Sequence, residues 1–298
     1  MHAVGRLAIY VERYTIARRE EHAALLRYRD AAEALGHEVH FLFRNELHKI
    51  PRYDALFIRA LTHPLNASYV AARLAELHGK PVIDDSRSIR ICCDKVHMYR
   101  RLEQAGVSVP PTRLLTRPML TPTQADRLFA ELGAPLVLKA PQSAFSSHVE
   151  RVETVEAFLR TGRRFFYHSD RLIVQQFIPS PFDWRVGVLG GQLLYACRYL
   201  IPAKTFKIEA IIDGRRAYAR VEGVPLEALP EAVAQAALKA AAAIGQGLYG
   251  VDLKVTETGQ VVVIEVNDNP TINAGEEDQQ APDVYTRIVS HLLEGKSS

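Results

Sequence analysis

The sequence is poor in the features that mark secreted, membrane-spanning or nucleic-acid-binding chains. It has 3 cysteines in 298 residues. Cys92 and Cys93 are adjacent and Cys197 stands alone, so there is neither a C-x-x-C pair nor a disulfide framework. Apolar runs are short, and the first, residues 7–11, is followed at once by two charged residues. The 37 basic and 34 acidic residues leave a formal charge of +3, too small to indicate nucleic-acid binding. We expect a cytoplasmic protein without membrane or nucleic-acid partners.

What is present is an ordinary globular composition, with 48% hydrophobic and 24% charged residues. A chain of this length forms one large domain or two to three small ones. Strand and helix patterns alternate at the start and predict a small parallel α/β domain, which binds ligands at the carboxyl ends of its strands. The predicted strands are residues 7–11, 38–43, 54–59 and 81–84, and the predicted helices are 19–35 and 67–77.

A proline-containing segment, residues 107–112, follows a predicted helix at 95–104 and breaks into extended chain, because proline cannot continue a helix. We place a lobe boundary there. Short strands and helices after it predict a small α+β lobe, and longer strands with two further helices predict a larger one.

The strongest candidate site lies on a predicted hairpin near the C-terminus. Glu265 and Asn267 are two residues apart on one strand, so both side chains share a face, and Asp252 lies on the partner strand. Carboxylate and amide oxygens are the ligands that Mg²⁺ prefers. The alternative is a set of polar residues at a solvent-facing hairpin edge, but an apolar run that delivers them to one face favours a site.

Two lysines and a hinge-like strand supply further candidates. Lys139 ends an apolar strand, where a buried ammonium needs a partner such as a phosphate, although it equally fits an exposed strand end. Lys95 begins a predicted helix and is less informative alone. Residues 172–178 read as a hinge between lobes whose backbone and apolar side chains suit a nucleotide pocket. Arg185 and Arg198 offer planar, permanently charged groups for phosphates or carboxylates, or are solvated strand residues.

In their order along the chain these segments resemble the ATP-grasp superfamily. Within it they are most similar to the RimK-like carboxylate-amine ligases, the group of ribosomal-protein glutamate ligase and the bacterial glutathione synthetases. Each motif is weak alone, but seven in the family order on suitable elements make coincidence improbable. The motifs are Asp94-Lys95, the Gly106 to Thr112 connector, Val137-Leu138-Lys139, Val174 to Ile178, Asp183-Trp184-Arg185, Val251-Asp252 and Glu265-Val266-Asn267.

The resemblance implies an α/β chain in which an N-terminal α/β domain, residues 1–92, precedes an ATP-grasp domain, residues 93–298. The latter divides into a small lobe at about 110–178 and a large lobe at about 179–298. It further implies a ligase that uses ATP with Mg²⁺ or Mn²⁺ to activate a carboxylate as an acyl phosphate, which an amine then attacks. The implied roles are ATP-phosphate binding for Lys95 and Lys139, the adenine hinge for Gln176, Phe177 and Ile178, a nucleotide contact for Asp183, metal binding for Asp252, Glu265 and Asn267, and catalysis for Arg185 and Arg198.

The sequence departs from the family pattern at several points. The loop at residues 142–148 has no glycine where the family covers the phosphates with glycine-rich backbone, and position 176 is Gln where Glu is common. An ATP-binding pseudoenzyme or regulatory nucleotide-binding module is therefore the alternative. The resemblance places Lys204 and Lys207 near further substrate contacts, and Arg59 is a candidate to bind a substrate carboxylate. The resemblance implies a small-molecule or peptide carboxylate and an amine acceptor as partners, with the addition of an amino acid such as glutamate as one example. The sequence leaves a homo-oligomer open.

Overall fold

The structure is a computed structural model that describes residues 4–142, 148–202, 205–206, 209–212 and 215–294. Within these residues the strands form a four-stranded parallel sheet, antiparallel sheets of four and of five strands, and a two-stranded antiparallel ribbon. The parallel sheet is N-terminal, and the two antiparallel sheets follow it along the chain. The expected α/β class is confirmed by this arrangement.

The N-terminal sheet has the strand order β2-β1-β3-β4 with parallel pairing throughout. Its central strands are buried on both faces, as parallel strands between helices require. All carboxyl ends meet at one edge. The elements are β1 (Arg6–Val11), α1 (Arg13–Ala17), α2 (Arg19–Ala34), β2 (Glu38–Leu42), a 3₁₀ helix (Arg44–Arg52), β3 (Ala55–Arg59), α3 (Ala67–Leu77) and β4 (Val82–Ile83).

Two capped helices, α4 (Ser86–Cys92) and α5 (Lys95–Gln104), connect this sheet to the rest of the chain. The Asp94 side chain accepts hydrogen bonds from the backbone N–H groups of Val96 and His97, so it fixes the first turn of α5. Lys95 is therefore held at the start of this helix, where it is buried.

The small lobe is an antiparallel sheet of order β5-β8-β6-β7 covered by two helices. All four residues of β6 are buried, including its terminal lysine. Phe158 and Phe165, about two turns apart on α7, fill the core beneath the sheet. The elements are β5 (Thr112–Thr116), α6 (Pro122–Leu132), β6 (Leu136–Lys139), β7 (Val149–Val152), α7 (Val155–Phe165) and β8 (Arg171–Gln176).

The large lobe is built on an antiparallel sheet of order β13-β10-β9-β14-β15. One face packs on α8 through an apolar core that includes Trp184, Val186 and Val251. The other face carries Tyr195, Cys197 and Tyr199, which join a core shared with the N-terminal sheet and α9. The elements are β9 (Phe182–Leu189), β10 (Gln192–Leu200), β11 (Glu209–Ile212), β12 (Arg215–Tyr218), β13 (Arg220–Val224), α8 (Glu231–Ile244), β14 (Leu248–Val255), β15 (Val261–Asn267) and α9 (Val284–Leu293).

The predicted alternation of the first ninety residues agrees with the observed elements to within a few residues at each end. The α6 helix was not predicted, although Thr121 caps it and proline begins it, a usual start signal. The predicted domain and lobe boundaries stay a prediction. In the described part of the chain, no helix is both long and apolar enough to span a lipid bilayer.

A substitution at Gly187 would test the packing between β9 and β10. A Cβ atom built at this position would lie 2.2 Å from Cε1 of Tyr195, whose ring is fully buried. We expect Gly187→Ala to lower the free energy of unfolding by about 3 kcal/mol, because the core has no room for the methyl group. Denaturant titration of the wild-type protein and the variant measures this loss of unfolding free energy. In a double-mutant cycle with Tyr195→Leu the two losses should be strongly non-additive, and simple additivity would contradict this packing.

Candidate functional site

A row of three charged residues crosses the large-lobe sheet. Arg185 on β9 is the register partner of Asp252 on β14, and Asp252 is the partner of Glu265 on β15. Residues directly opposite each other in antiparallel strands project to the same face. Asn267, two residues beyond Glu265, pairs with Gly250 and shares that face. The structure therefore brings the three predicted metal ligands together.

Each carboxylate in this row is bound by a cation. Arg185 binds Asp252 through two hydrogen bonds, Nε to Oδ1 and Nη2 to Oδ2, the latter at 2.9 Å. Lys95 Nζ lies 2.8 Å from Glu265 Oε1. Burial alone would raise the pKa of Glu265, but the adjacent Lys95 brings this pKa below its usual value. Asn267 donates from Nδ2 to Asp252 Oδ2 at 3.1 Å. Burial raises the pKa of Asp252, which Arg185 and Asn267 only partly offset. Both carboxylates are thus held in fixed directions by their partners.

Lys139 differs from these cations because its hydrogen-bond partners are neutral. Its Nζ donates to Gln175 Oε1 at 2.7 Å and to the Tyr99 hydroxyl at 3.1 Å. Among the described residues no carboxylate lies within 4 Å of it. Burial lowers the pKa of Lys139 to about 8, with Glu265 opposing this shift and Lys95 adding to it. A buried ammonium without a direct counter-charge is a ready partner for an anion.

A second buried ion pair extends the row. Lys254 Nζ lies 2.7 Å from Asp183 Oδ1. Asp183 is two residues before Arg185 and Lys254 two residues after Asp252, so period-2 alternation puts both on the same face. We call Lys95, Lys139, Asp183, Arg185, Asp252, Lys254 and Glu265 the charged cluster. It holds four cations and three carboxylates, a net charge of 4 − 3 = +1.

Arg198 does not join the charged cluster. It pairs in register with Trp184, whereas Arg185 pairs with Cys197, so the two arginines project to opposite faces of the sheet. The Arg198 guanidinium lies over the rings of Phe182 and Trp184 and 3.5 Å from Glu222. Its predicted catalytic role stays a prediction without geometric support.

The predicted hinge closes the small lobe. The N–H of Gln176 donates to the carbonyl of Pro111 at 3.0 Å, and that of Phe177 to Pro135 at 3.3 Å. Arg151 covers the Phe177 ring, with its guanidinium 5.4 Å from the ring centre. Ile178 is buried. The hinge is therefore fixed to both neighbouring strands.

Tyr99, Gln175 and Lys254 are site residues that the sequence reasoning missed. Tyr99 follows Lys95 by four residues and so lies on the same face of α5, which was a usable signal. Its hydroxyl donates to the carbonyl of Ile264 at 2.7 Å, so it links α5 to β15. Residues 143–147 of the glycine-free loop, together with Lys204 and Lys207, lie outside the described residues.

The loop after β15 joins the charged cluster to the N-terminal sheet. Arg59 Nη1 donates to Asn269 Oδ1 at 2.7 Å and to the Pro270 carbonyl at 2.9 Å. Asn269 Nδ2 donates to the carbonyl of Ala60 at 2.6 Å. The expected carboxylate ligand Arg59 is thus bonded to this loop. Burial raises the pKa of the neighbouring Asp268 to about 7, which the Thr62 side chain partly offsets by its hydrogen bond.

The two antiparallel sheets, with lysines and carboxylates brought together between them, fit the class of ATP-grasp proteins, and the comparison with family models shows this class. The family model described as "D-ala D-ala ligase C-terminus" matches residues 102–274, more than half of the chain, and the protein belongs to this family.

Similarity to individual proteins extends over nearly the whole chain. A curated relative from Thioalkalivibrio sulfidiphilus, named "Probable alpha-L-glutamate ligase", is 28% identical over 284 residues, which are 89% of this chain and 90% of that one. The crystal structure of a RimK domain ATP-grasp protein from Sphaerobacter thermophilus superposes with a TM-score of 0.70 at 24% identity and covers 97% of this chain and 99% of its own. The crystal structure of D-alanine–D-alanine ligase from Bacillus anthracis complexed with ATP superposes with a TM-score of 0.72 at 18% identity. This match covers 98% of this chain and 97% of the ligase chain. The expected ATP-grasp fold, RimK-like family and ligase class are confirmed.

The opposite environments of Arg185 and Arg198 give a matched test. Arg185→Met leaves Asp252 buried without its cation, so we expect a loss of about 3 kcal/mol in unfolding free energy. Arg198→Met removes a half-exposed arginine and should cost no more than about 1 kcal/mol. Chemical denaturation of both variants measures the difference. Equal losses would contradict the assigned faces, and Arg185→Met/Asp252→Leu should recover much of the stability.

Proposed function

We propose that this protein is an ATP-dependent carboxylate-amine ligase that forms an amide or peptide bond through an acyl-phosphate intermediate. The observation that carries the proposal is the charged cluster with its net positive charge, in which Lys139 has no direct counter-charge among the residues that the structure describes. A buried site of this kind is costly unless an anion completes it. ATP, which proteins of this superfamily bind, brings such an anion.

The chemistry requires positioning and charge neutralisation more than a covalent group on the protein. An oxygen of the substrate carboxylate attacks the γ-phosphorus, and the bond to the β-phosphate oxygen breaks to release ADP. The amine nitrogen then attacks the acyl carbon, phosphate leaves, and the nitrogen loses a proton. Lys95 and Lys139 would bind the phosphates, and Arg185 would balance the charge of the group in transfer. Gln176, Phe177 and Ile178 would border the adenine, near Asp183.

Asp252, Glu265 and Asn267 fit a magnesium or manganese ion by their donor chemistry, because carboxylate and amide oxygens are hard ligands. Arg185 binds the carboxylate of Asp252, and Lys95 binds that of Glu265. In the described part of the chain, no group of three acidic, histidine or cysteine side chains is arranged as a metal site. Nucleotide phosphates would complete the ligand set and draw the cations from the carboxylates. Such an ion neutralises phosphate charge and polarises the phosphoryl group.

The substrates follow from the same proposal. The named relative suggests L-glutamate as one partner, with a small-molecule or peptide chain as the other. A cytoplasmic location agrees with the supply of ATP and with a chain that carries 3 separate thiols.

Turnover is the direct test. Purified protein with MgATP should release ADP when supplied with the correct carboxylate and amine, in a coupled assay across pairs of amino acids and dipeptides. Glu265→Ala should lower this rate by about 100-fold or more, because phosphate charge is then poorly neutralised. Glu257→Ala, on the exposed turn between β14 and β15, is the matched control and should retain the rate. Tight, Mg²⁺-dependent ATP binding with no ADP release from any pair would instead favour a regulatory nucleotide-binding module.

The low pKa of Lys139 predicts how ATP affinity depends on pH. A phosphate prefers the protonated lysine, and in the ATP-free protein this proton is lost as the pH rises through about 8. We therefore expect the affinity for a non-hydrolysable ATP analogue to fall roughly eightfold between pH 7.5 and 9. Lys139→Arg keeps its charge at any of these pH values, so its affinity should change much less. Identical pH profiles, measured by calorimetry, would exclude Lys139 as the titrating group.

A further inference from the structure

A cavity of about 410 Å³ opens at the carboxyl edge of the parallel N-terminal sheet. Three strands end beside it: Glu12 follows β1, Ala60 follows β3, and Arg44 lies two residues beyond β2. Ligands of open parallel sheets bind outside the carboxyl ends of the strands, and the volume is in the range of roughly 300–1,000 Å³ that is usual for small molecules. The cavity is therefore placed and sized for a substrate.

The lining of the cavity carries one charge of each sign. Glu12 accepts a hydrogen bond from the Tyr10 hydroxyl, and Arg44 is exposed beside it. Among the described residues neither side chain has an ion-pair partner within 4 Å, and they do not pair with each other. Burial and Glu12 raise the pKa of Tyr10 whereas Arg44 lowers it, so both charges act on the same hydroxyl. Two charges of opposite sign in the lining of one cavity, neither with an ion-pair partner among the described residues, match a ligand that carries both.

The wall of the cavity is held in place by its own hydrogen bonds. The N–H of Leu61 donates to the Tyr14 hydroxyl at 2.5 Å, and the Leu61 carbonyl accepts from Ser68 Oγ at 2.9 Å and Asn66 Nδ2 at 3.2 Å. Both backbone groups of Leu61 are thus satisfied. This wall of the cavity therefore has a fixed shape.

Hydrogen bonds connect the edge of the cavity to the loop that follows β15. The carbonyl of Ala60, a lining residue, accepts from Asn269, and Thr62 hydrogen-bonds Asp268. Both partners lie within two residues of Asn267, at the end of β15. A molecule in this cavity therefore lies beside the loop that directly follows the proposed metal ligand Asn267.

We propose that this cavity binds one substrate of the reaction as a free α-amino acid, with its ammonium group on Glu12 and its carboxylate on Arg44. The inference rests on the proposed ligase function for the use of the bound amino acid, but the binding itself needs no turnover. It moves the carboxylate-binding role from Arg59, which is bonded to Asn269 and Pro270, to Arg44.

The test is calorimetric binding of the twenty L-amino acids to the full chain, with and without a non-hydrolysable MgATP analogue. At least one should bind. If this is L-glutamate, then glutarate, which lacks the ammonium group, and 4-aminobutyrate, which lacks the α-carboxylate, should each bind at least tenfold more weakly. Failure of all twenty amino acids in both conditions would overturn the proposal.

Variants assign the two groups. Arg44→Met should weaken the amino acid at least tenfold and bring L-glutamate and 4-aminobutyrate to similar affinity, and Glu12→Gln should do the same for L-glutamate and glutarate. Arg52→Met, an exposed arginine at the end of the same 3₁₀ helix, is the control and should leave affinity unchanged. In the turnover assay the KM for the amino acid should rise while the KM for ATP stays constant.

The two proposals fail in different ways. Amino-acid binding that depends on Glu12 and Arg44 without any ADP release would refute the ligase and leave this site intact. ADP release whose amino-acid KM is unchanged in both variants would refute the site and leave the ligase intact.

Discussion

The ion pair between Arg185 and Asp252 is the constraint on which the large-lobe sheet depends. Its two hydrogen bonds join β9 to β14 across a buried face, where an unpaired charge of either sign is costly. The Arg185 side chain needs space along this face of the sheet. The next residue of β14 on the same face, two positions before Asp252, is Gly250. A Cβ atom at Gly250 would lie 3.1 Å from Arg185 Cδ and 2.7 Å from Pro270 Cβ. The glycine is therefore a consequence of the ion pair and of the loop that covers it.

The same electrostatic pattern connects three parts of the chain that are distant in sequence. Lys95 comes from a helix, Lys139 from the small lobe and Glu265 from the large lobe, and Tyr99 bonds both Lys139 and the backbone of β15. The position of the small lobe relative to the large one thus depends partly on charged and polar contacts. An anion that competes for Lys95 and Lys139 would change these contacts, so nucleotide binding and lobe position are expected to be coupled.

Much of the fold and of the site was readable from periodicity, because Glu265 and Asn267 need only alternation within one strand to share a face. Arg198 shows where this reasoning stops. A two-residue turn at Gly190 and Gly191 pairs Leu189 with Gln192, and regular pairing would place Arg198 opposite Asp183, on the face of Arg185. A bulge between Leu193 and Tyr195 shifts the register by one residue, so Arg198 pairs with Trp184 and projects to the other face. No local sequence signal predicts this bulge. The pairing of each acidic side chain with its particular cation likewise depends on the register between strands, which the sequence pattern does not show.

The charge balance of the cluster bears on the order in which ligands bind. With Lys95 on Glu265 and Arg185 on Asp252, a divalent cation arriving alone must displace two buried cations and would raise the net charge from +1 to +3. A nucleotide triphosphate arriving with its metal supplies the anionic oxygens that Lys95, Lys139 and Arg185 require, and it frees the carboxylates at the same time. Metal and nucleotide should therefore bind cooperatively, since each removes the electrostatic cost of the other. The hydrogen bonds from Asn269 to Ala60 and from Arg59 to Asn269 then carry any movement at the end of β15 to the edge of the N-terminal sheet.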